Sequence, residues 1–226
     1  SQQLSNPPTQ TMETEFIYYR HNTPIGVQVE EITGYEQLSG PNWVAFAKQV
    51  FSENSKDAYR VIDHYESGAP FLDGESSRIS VSHTGHMLIV ASLPRTPEAD
   101  LSVFSPRTAL GIDVESKERE QVLKVRERYL NDDELTMVPA DDVVANVIAW
   151  TAKEALFKAA LMEGVDFRSR IILKSLPTLD SPQTAEAYVV DNDGNNIDFL
   201  LYSYESEGNV VTIAITAKTA TFKKRK

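Results

Sequence analysis

The chain has 226 residues, 41% hydrophobic and 24% charged, a globular composition with room for one large domain or two small ones. Its net charge of −11 argues against general binding to nucleic acid or anionic membranes, because neutralising phosphates requires a dense basic surface. The absence of cysteine excludes disulfides, thiolate metal sites and thiol nucleophiles. No apolar run reaches the roughly 18 residues that span a bilayer, and residues 1–15 have no signal-like layout, so we expect a cytoplasmic protein.

The first half of the chain predicts several short strands and one helix. Residues 1–14 are polar and contain two prolines, which predicts a loose arm. An apolar stripe at helical spacing follows Pro41, whose fixed φ suits a first helical turn. Period-two patterns and turn signals predict the remaining elements as strands. These strands are residues 16–19, 25–29, 61–65, 79–83 and 87–93.

Residues 80–86, with the sequence SVSHTGH, place hydroxyls, an imidazole and a glycine at the end of one of these strands. A glycine lets backbone N–H groups approach an anion closely, so a phosphate-binding corner is one interpretation. The alternative is ordinary loop chemistry without a ligand.

Residues 110–115, with the sequence LGIDVE, show the alternation of a half-buried strand. The pattern puts Asp113 and Glu115 on the same face. Two like charges about 7 Å apart on one strand face repel each other unless a cation lies between them. Mg²⁺, which prefers oxygen ligands, is the natural occupant, and the alternative is two solvated acids at a strand end.

A cation-rich helix is predicted over residues 122–130. Because Val122 and Tyr129 share its apolar face, we hypothesise that it docks a partner, with a solvated amphipathic helix as the alternative. The cationic segment, which begins before the helix, contains Lys117, Arg119, Lys124, Arg126 and Arg128.

A second, longer helix is predicted over residues 143–161, with Asp141 or Asp142 as its N-cap. On it, Trp150, Glu154 and Lys158 recur every four residues and form one stripe. Such a Glu-Lys pair is usually a surface ion pair worth under about 0.5 kcal/mol, but Trp150 indicates a partly buried stripe.

The last third predicts strands at residues 171–173, 185–190, 197–204 and 210–216, separated by turn signals. We therefore predict an α+β fold with two subdomains. The predicted boundaries are 1–14 for the arm, 15–108 and 109–217 for the subdomains, and 218–226 for a basic tail.

Three segments, in this order and spacing, resemble the 4′-phosphopantetheinyl transferase superfamily. They are residues 80–84 (SVSHT), 111–115 (GIDVE) and 150–158 (WTAKEALFK), with a softer match at 68–72 (GAPFL). The length is similar to that of the larger branch, in which two similar α/β halves of one chain form a pseudo-dimer. A monomer is therefore expected.

The resemblance implies a Mg²⁺-dependent enzyme that transfers 4′-phosphopantetheine from coenzyme A to a serine of an acyl or peptidyl carrier protein and releases 3′,5′-ADP. It implies catalytic roles for Asp113, Glu154 and Lys158. The implied ligands of the metal are Asp113, Glu115 and Glu154, and the implied contacts of the coenzyme's phosphates are Ser82, His83, Lys153 and Lys158.

Two alternatives stay open from the sequence. The same three acids would serve a Mg²⁺-dependent phosphoesterase. The second alternative is an inactive coenzyme A-binding module, since basic residues that family members carry are missing. Ala69 stands where they have a lysine, and Lys48 is the only basic residue between Thr23 and Asn54. Lys56 and Arg60 are the candidates to hold the coenzyme's 3′-phosphate in their place.

Overall fold

The computed structural model describes residues 17–33, 62–64, 70–72, 79–93, 109–179 and 181–217. The predicted arm, the predicted helix after Pro41, the basic tail and the candidates Lys48, Lys56, Arg60 and Ala69 lie outside these ranges.

Residues of the first half form a four-stranded antiparallel sheet in the order β1-β2-β6-β5. A separate two-stranded ribbon pairs β3 with β4. The strands are β1 (Ile17–Asn22), β2 (Gln28–Thr33), β3 (Ile62–His64), β4 (Pro70–Leu72), β5 (Ile79–His83) and β6 (Met87–Ser92).

The second half forms a five-stranded antiparallel sheet in the order β7-β11-β10-β9-β8, together with three helices. Its strands are β7 (Leu110–Ser116), β8 (Ile171–Leu173), β9 (Ala185–Val190), β10 (Asn196–Ser206) and β11 (Asn209–Thr216). Its helices are α1 (Gln121–Tyr129), α2 (Asp132–Met137) and α3 (Val143–Ala160).

Most of these elements were predicted, although β2 (Gln28–Thr33) is shifted towards the C-terminus from the predicted residues 25–29. Strand β4 and helix α2 were not predicted. Helix α2 is only six residues long, too short to show a helical period. It begins with a capping box, in which the Asn131 side chain accepts from the Glu134 N–H and the Glu134 carboxylate accepts from the Asn131 N–H. No described helix is both long enough and apolar enough to cross a bilayer.

The core has two layers around the second sheet. One face packs against the first sheet through Ile112 and Val114 of β7 and Val29 and Ile89 of β2 and β6. The other face is covered by α3, whose buried alanines allow the helix backbone to lie close to the strands. Asp142 caps α3 by accepting from the Ala145 N–H at 2.9 Å.

A polar cluster joins the two sheets where β2 meets β10. The Glu31 carboxylate accepts hydrogen bonds from Tyr204 (2.6 Å) and Ser206 (2.7 Å) of β10, and it pairs with His21 at 3.1 Å. Burial raises the pKa of Glu31, but these hydrogen bonds outweigh burial and hold the pKa below its usual value. Folding therefore favours the charged form of Glu31.

The mixed sheets and helices confirm an α+β fold. In the described residues, three strands of each sheet follow the same order, β2-β6-β5 in the first and β7-β11-β10 in the second. This likeness is compatible with two similar halves, and the pseudo-dimer stays a prediction.

Candidate active site

The site forms where the two sheets meet edge to edge. Strand β7 is at the edge of the second sheet and β5 at the edge of the first. Serine hydroxyls of β5 accept from the free N–H groups of β7, Ile112 N–H to Ser80 Oγ at 2.9 Å and Val114 N–H to Ser82 Oγ at 3.3 Å. The seam between the sheets is thus made by side chains rather than by a backbone ladder.

Gly111 explains why α3 can reach the acidic strand. A Cβ on this residue would collide with the carbonyl oxygen of Ala155 and lie 2.8 Å from the Ala159 nitrogen, both on α3. Asp113 and Glu115 follow Gly111 on the same strand face, as the alternation predicts. Close packing at Gly111 therefore brings α3 beside both carboxylates, with Lys158 at Asp113 and Trp150 at Glu115.

Asp113 lies at the centre of the site, and only 8% of its side chain is exposed. Its Oδ1 accepts from the Ser82 hydroxyl at 2.9 Å and from Lys158 Nζ at 2.8 Å. Lys158 also donates to the Ile112 carbonyl oxygen at 3.0 Å. The buried Oδ2 of Asp113 has no hydrogen-bond donor among the described residues, so this oxygen keeps its acceptor capacity.

Glu115 lies nearer the solvent, with 22% of its side chain exposed. It forms an ion pair with Arg119 and accepts a hydrogen bond from Trp150. The Arg119 guanidinium lies 5.9 Å from the centroid of the Trp150 ring. Burial raises the pKa of Glu115, with a further contribution from the charge of Asp113 and an opposing one from Arg119.

Glu154 on α3 is electrostatically coupled to both strand acids. Burial raises its pKa to about 7, the negative charge of Asp113 adds to this rise, and Lys158 partly opposes it. Glu115 also raises the pKa of Glu154. The three acids thus share one partly buried region in which their mutual repulsion is unfavourable.

In the part of the chain that the structure describes, no three His, Cys, Asp or Glu side chains form a ready-made metal site. Lys158 and Arg119 hold two of the acids instead. The donor chemistry nevertheless fits Mg²⁺, because all three side chains are carboxylates and Asp113 Oδ2 has no donor among the described residues. Asp113, Glu115 and Glu154 are therefore kept as proposed ligands.

Lys153, for which the resemblance implies a phosphate contact, lies in the core. Its side chain is fully buried and forms an ion pair with the equally buried Glu134 at 2.7 Å. Its ammonium also donates to the carbonyl oxygens of Phe167, at 2.8 Å, and Ile171. Burial lowers its pKa to about 8, although Glu134 opposes this shift. With three acceptors and no exposure, Lys153 joins α3 to α2 and β8, a placement that does not support contact with a phosphate.

Ser82 and His83 have separate positions although they are adjacent in the sequence. Ser82 is 6% exposed, and its hydroxyl is engaged with Asp113 and the Val114 N–H, both on the acidic strand. Its phosphate contact stays a prediction. Alternation along β5 turns His83 outward, where it is exposed at the strand end. Its predicted phosphate contact stays a prediction.

The cationic segment is less available to a partner protein than its composition indicates. Lys117 pairs with Glu205 at 2.6 Å and Arg119 pairs with Glu115, while Arg126 donates to the Val138 carbonyl oxygen at 2.5 Å and to Asn146 at 3.2 Å. Val122 and Tyr129, predicted to meet a partner, are each only 2% exposed. Of the five cations, the exposed ones are Lys124 and Arg128.

Sequence reasoning missed two members of the site. Arg119 lies four residues after Glu115, a spacing that was interpreted as part of the cationic segment rather than as an ion pair. Ser80 was included only as part of a motif, and nothing in the sequence shows that its hydroxyl would accept from a strand of the other sheet.

A mixed α+β fold with acids and a lysine converging from β7 and α3 defines a candidate site for acting on a phosphate group. Residues 109–214 match the family model described as the 4′-phosphopantetheinyl transferase superfamily. The match covers just under half of the chain, confirms the resemblance and supports phosphopantetheinyl transfer in general. A search of curated proteins finds no match.

Proposed function

We propose that the protein transfers the 4′-phosphopantetheine group of coenzyme A to a serine hydroxyl of an acyl or peptidyl carrier protein. The serine oxygen bonds to the phosphorus that carries pantetheine, and the bond from this phosphorus to the bridging pyrophosphate oxygen breaks. The products are the holo carrier protein and 3′,5′-ADP. The placement of Glu154 and Lys158 of α3 against Asp113 of β7 carries this proposal.

Mg²⁺ held by Asp113, Glu115 and Glu154 would neutralise the charge of the pyrophosphate. Phosphoryl transfer needs positioning and charge stabilisation rather than a protein nucleophile. The site has this character, since its described members are carboxylates, cations and hydroxyls without a cysteine.

The protein's own side chains divide the remaining work. Glu154 accepts the proton of the attacking serine hydroxyl. Lys158, 29% exposed, uses two of its three N–H donors on Asp113 and the Ile112 carbonyl, so the third is available to the leaving phosphate. His83, exposed at the neighbouring strand end, is proposed to contact a phosphate of the coenzyme.

Mass spectrometry of an apo carrier protein incubated with the enzyme, coenzyme A and Mg²⁺ tests the proposal. The carrier should gain the mass of phosphopantetheine, and 3′,5′-ADP should appear in equal amount. Asp113→Ala should reduce turnover to below about a tenth of wild type, since a catalytic metal normally supplies several kcal/mol. Release of 3′,5′-ADP without carrier modification would instead indicate a phosphoesterase. Coenzyme binding without either product would indicate an inactive module.

The carrier is proposed to approach along the exposed side of α1. Carrier proteins of this family's systems are typically acidic, and so is this chain, so a productive encounter requires a local basic patch. Lys124 and Arg128, exposed on α1 beside the exposed Glu127, are proposed to supply it. Several purified carriers, of fatty-acid, polyketide and peptide-synthetase type, should be compared to find the one that is served.

A further inference from the structure

The hydrogen bonds of Ser82 have a defined direction. The Val114 N–H donates to Ser82 Oγ at 3.3 Å, so the hydroxyl acts as an acceptor there. A serine hydroxyl has one hydrogen, and the acceptor in reach of it is Asp113 Oδ1 at 2.9 Å. Ser82 therefore links the backbone of β7 to the carboxylate of the same strand.

This link separates the two oxygens of Asp113. Oδ1 is held by two donors, Ser82 and Lys158, whereas the buried Oδ2 has none among the described residues. A buried acceptor without a partner is unfavourable, and a bound cation would remove this cost. Fixing Oδ1 thus also fixes the direction of Oδ2, the oxygen that is left for a cation.

Ser80 provides an internal comparison. It lies two residues earlier on β5, is 4% exposed, and accepts from the Ile112 N–H at 2.9 Å. It therefore has the same role in the seam between the sheets as Ser82. No contact joins Ser80 to Asp113 among the hydrogen bonds of the described residues.

We propose that Ser82 is a positioning residue that orients the Asp113 carboxylate for Mg²⁺, rather than a residue that binds the coenzyme's phosphates. This inference rests on the proposed function, because it takes Asp113 as a metal ligand. Hydrogen-bonding partners of a ligating carboxylate typically account for 10- to 100-fold in metal affinity when they are removed. Loss of the Ser82 hydroxyl leaves Lys158 as the one described donor to Oδ1, so the Asp113 carboxylate is held less firmly in the orientation that suits the metal.

The test compares Ser82→Ala with Ser80→Ala in the full chain. Each variant leaves one β7 N–H without its acceptor, a loss of thermal stability common to both, and Ser82→Ala also removes the donor to Asp113. The readout is the dissociation constant of Mn²⁺, followed by electron paramagnetic resonance of the free ion, without and with coenzyme A. Ser82→Ala should weaken Mn²⁺ binding about tenfold or more, and Ser80→Ala by no more than about threefold. Should Ser82→Ala fail to fold, Ser82→Cys keeps a side chain of similar size with only a weak donor and should also weaken Mn²⁺ binding.

Equal losses of Mn²⁺ affinity in the two alanine variants would overturn the inference, because Ser82 would then act only through the seam. Unchanged Mn²⁺ affinity with weaker coenzyme A binding in Ser82→Ala would also overturn it, in favour of direct phosphate contact. In both cases a wild-type protein that transfers the group with Mg²⁺ leaves the proposed function standing. A wild-type protein that binds no Mn²⁺ under either condition would overturn the metal site and the inference together.

Discussion

Replacing Lys153 by methionine tests whether this lysine stabilises the fold or binds a phosphate. Lys153 and Glu134 are 0% and 1% exposed, and their charged atoms are 2.7 Å apart. Methionine has a similar length but no charge, so the substitution leaves the Glu134 carboxylate buried without its cation. Removing one partner of a buried ion pair typically costs about 3–5 kcal/mol. Glu134 keeps its bonds from the N–H groups of Asn131 (2.8 Å) and Leu173 (2.7 Å), which favours the lower end of this range.

Urea and thermal unfolding measure this cost directly. For a chain of this size a loss of 3–5 kcal/mol lowers Tm by roughly 6–20 °C. Adding Glu134→Gln to Lys153→Met removes both charges, so the double variant should lose less stability than the sum of the two single variants. Lys124→Met is the matched control, because Lys124 is exposed on α1, and it should change stability by no more than about 0.5 kcal/mol. If Lys153→Met kept wild-type stability but bound coenzyme A weakly, the assignment of Lys153 to the fold would be wrong.

Four further expectations follow from the site and the seam. Gly111→Ala should destabilise the protein by about 1–3 kcal/mol or more in thermal unfolding, because its Cβ collides with the α3 backbone; an unchanged Tm would contradict this close approach. Glu31→Gln should lower the free energy of unfolding at pH 7. The difference from wild type should shrink as the pH falls through the lowered pKa of Glu31 in the folded state. A carboxyl whose pKa is lowered by folding contributes stability above its unfolded pKa of about 4.3, and this contribution is lost at lower pH. Urea unfolding of wild type and variant at several pH values measures this, and an equal deficit at every pH would exclude the charged form as the stabilising one. Lys124→Glu combined with Arg128→Glu should raise KM for the carrier by about an order of magnitude through a slower on-rate while KM for coenzyme A stays the same; equal use of the carrier across a salt titration would rule out α1 as its docking surface. Glu154→Gln should lower kcat much more than it weakens coenzyme A binding by calorimetry, which should change less than about tenfold, and equal losses would assign Glu154 mainly to binding.

Local periodicity determined much of this protein from the sequence alone. The alternation in residues 110–115 correctly placed Asp113 and Glu115 on one strand face, and the recurrence in residues 150–158 placed Glu154 and Lys158 on one helix stripe. These predictions hold because the direction of a side chain relative to its own strand or helix depends only on backbone geometry.

Only the tertiary structure decided which partner each polar side chain meets. Ser82 contacts Asp113, 31 residues away in the chain, and Lys153 pairs with Glu134 on a helix too short to be predicted. Neither partner follows from a spacing, because both depend on how distant elements pack: β5 lies beside β7, and Glu134 of α2 reaches Lys153 of α3. The motif implied phosphate contacts for Ser82 and Lys153, whereas the structure pairs Ser82 with Asp113 and Lys153 with Glu134.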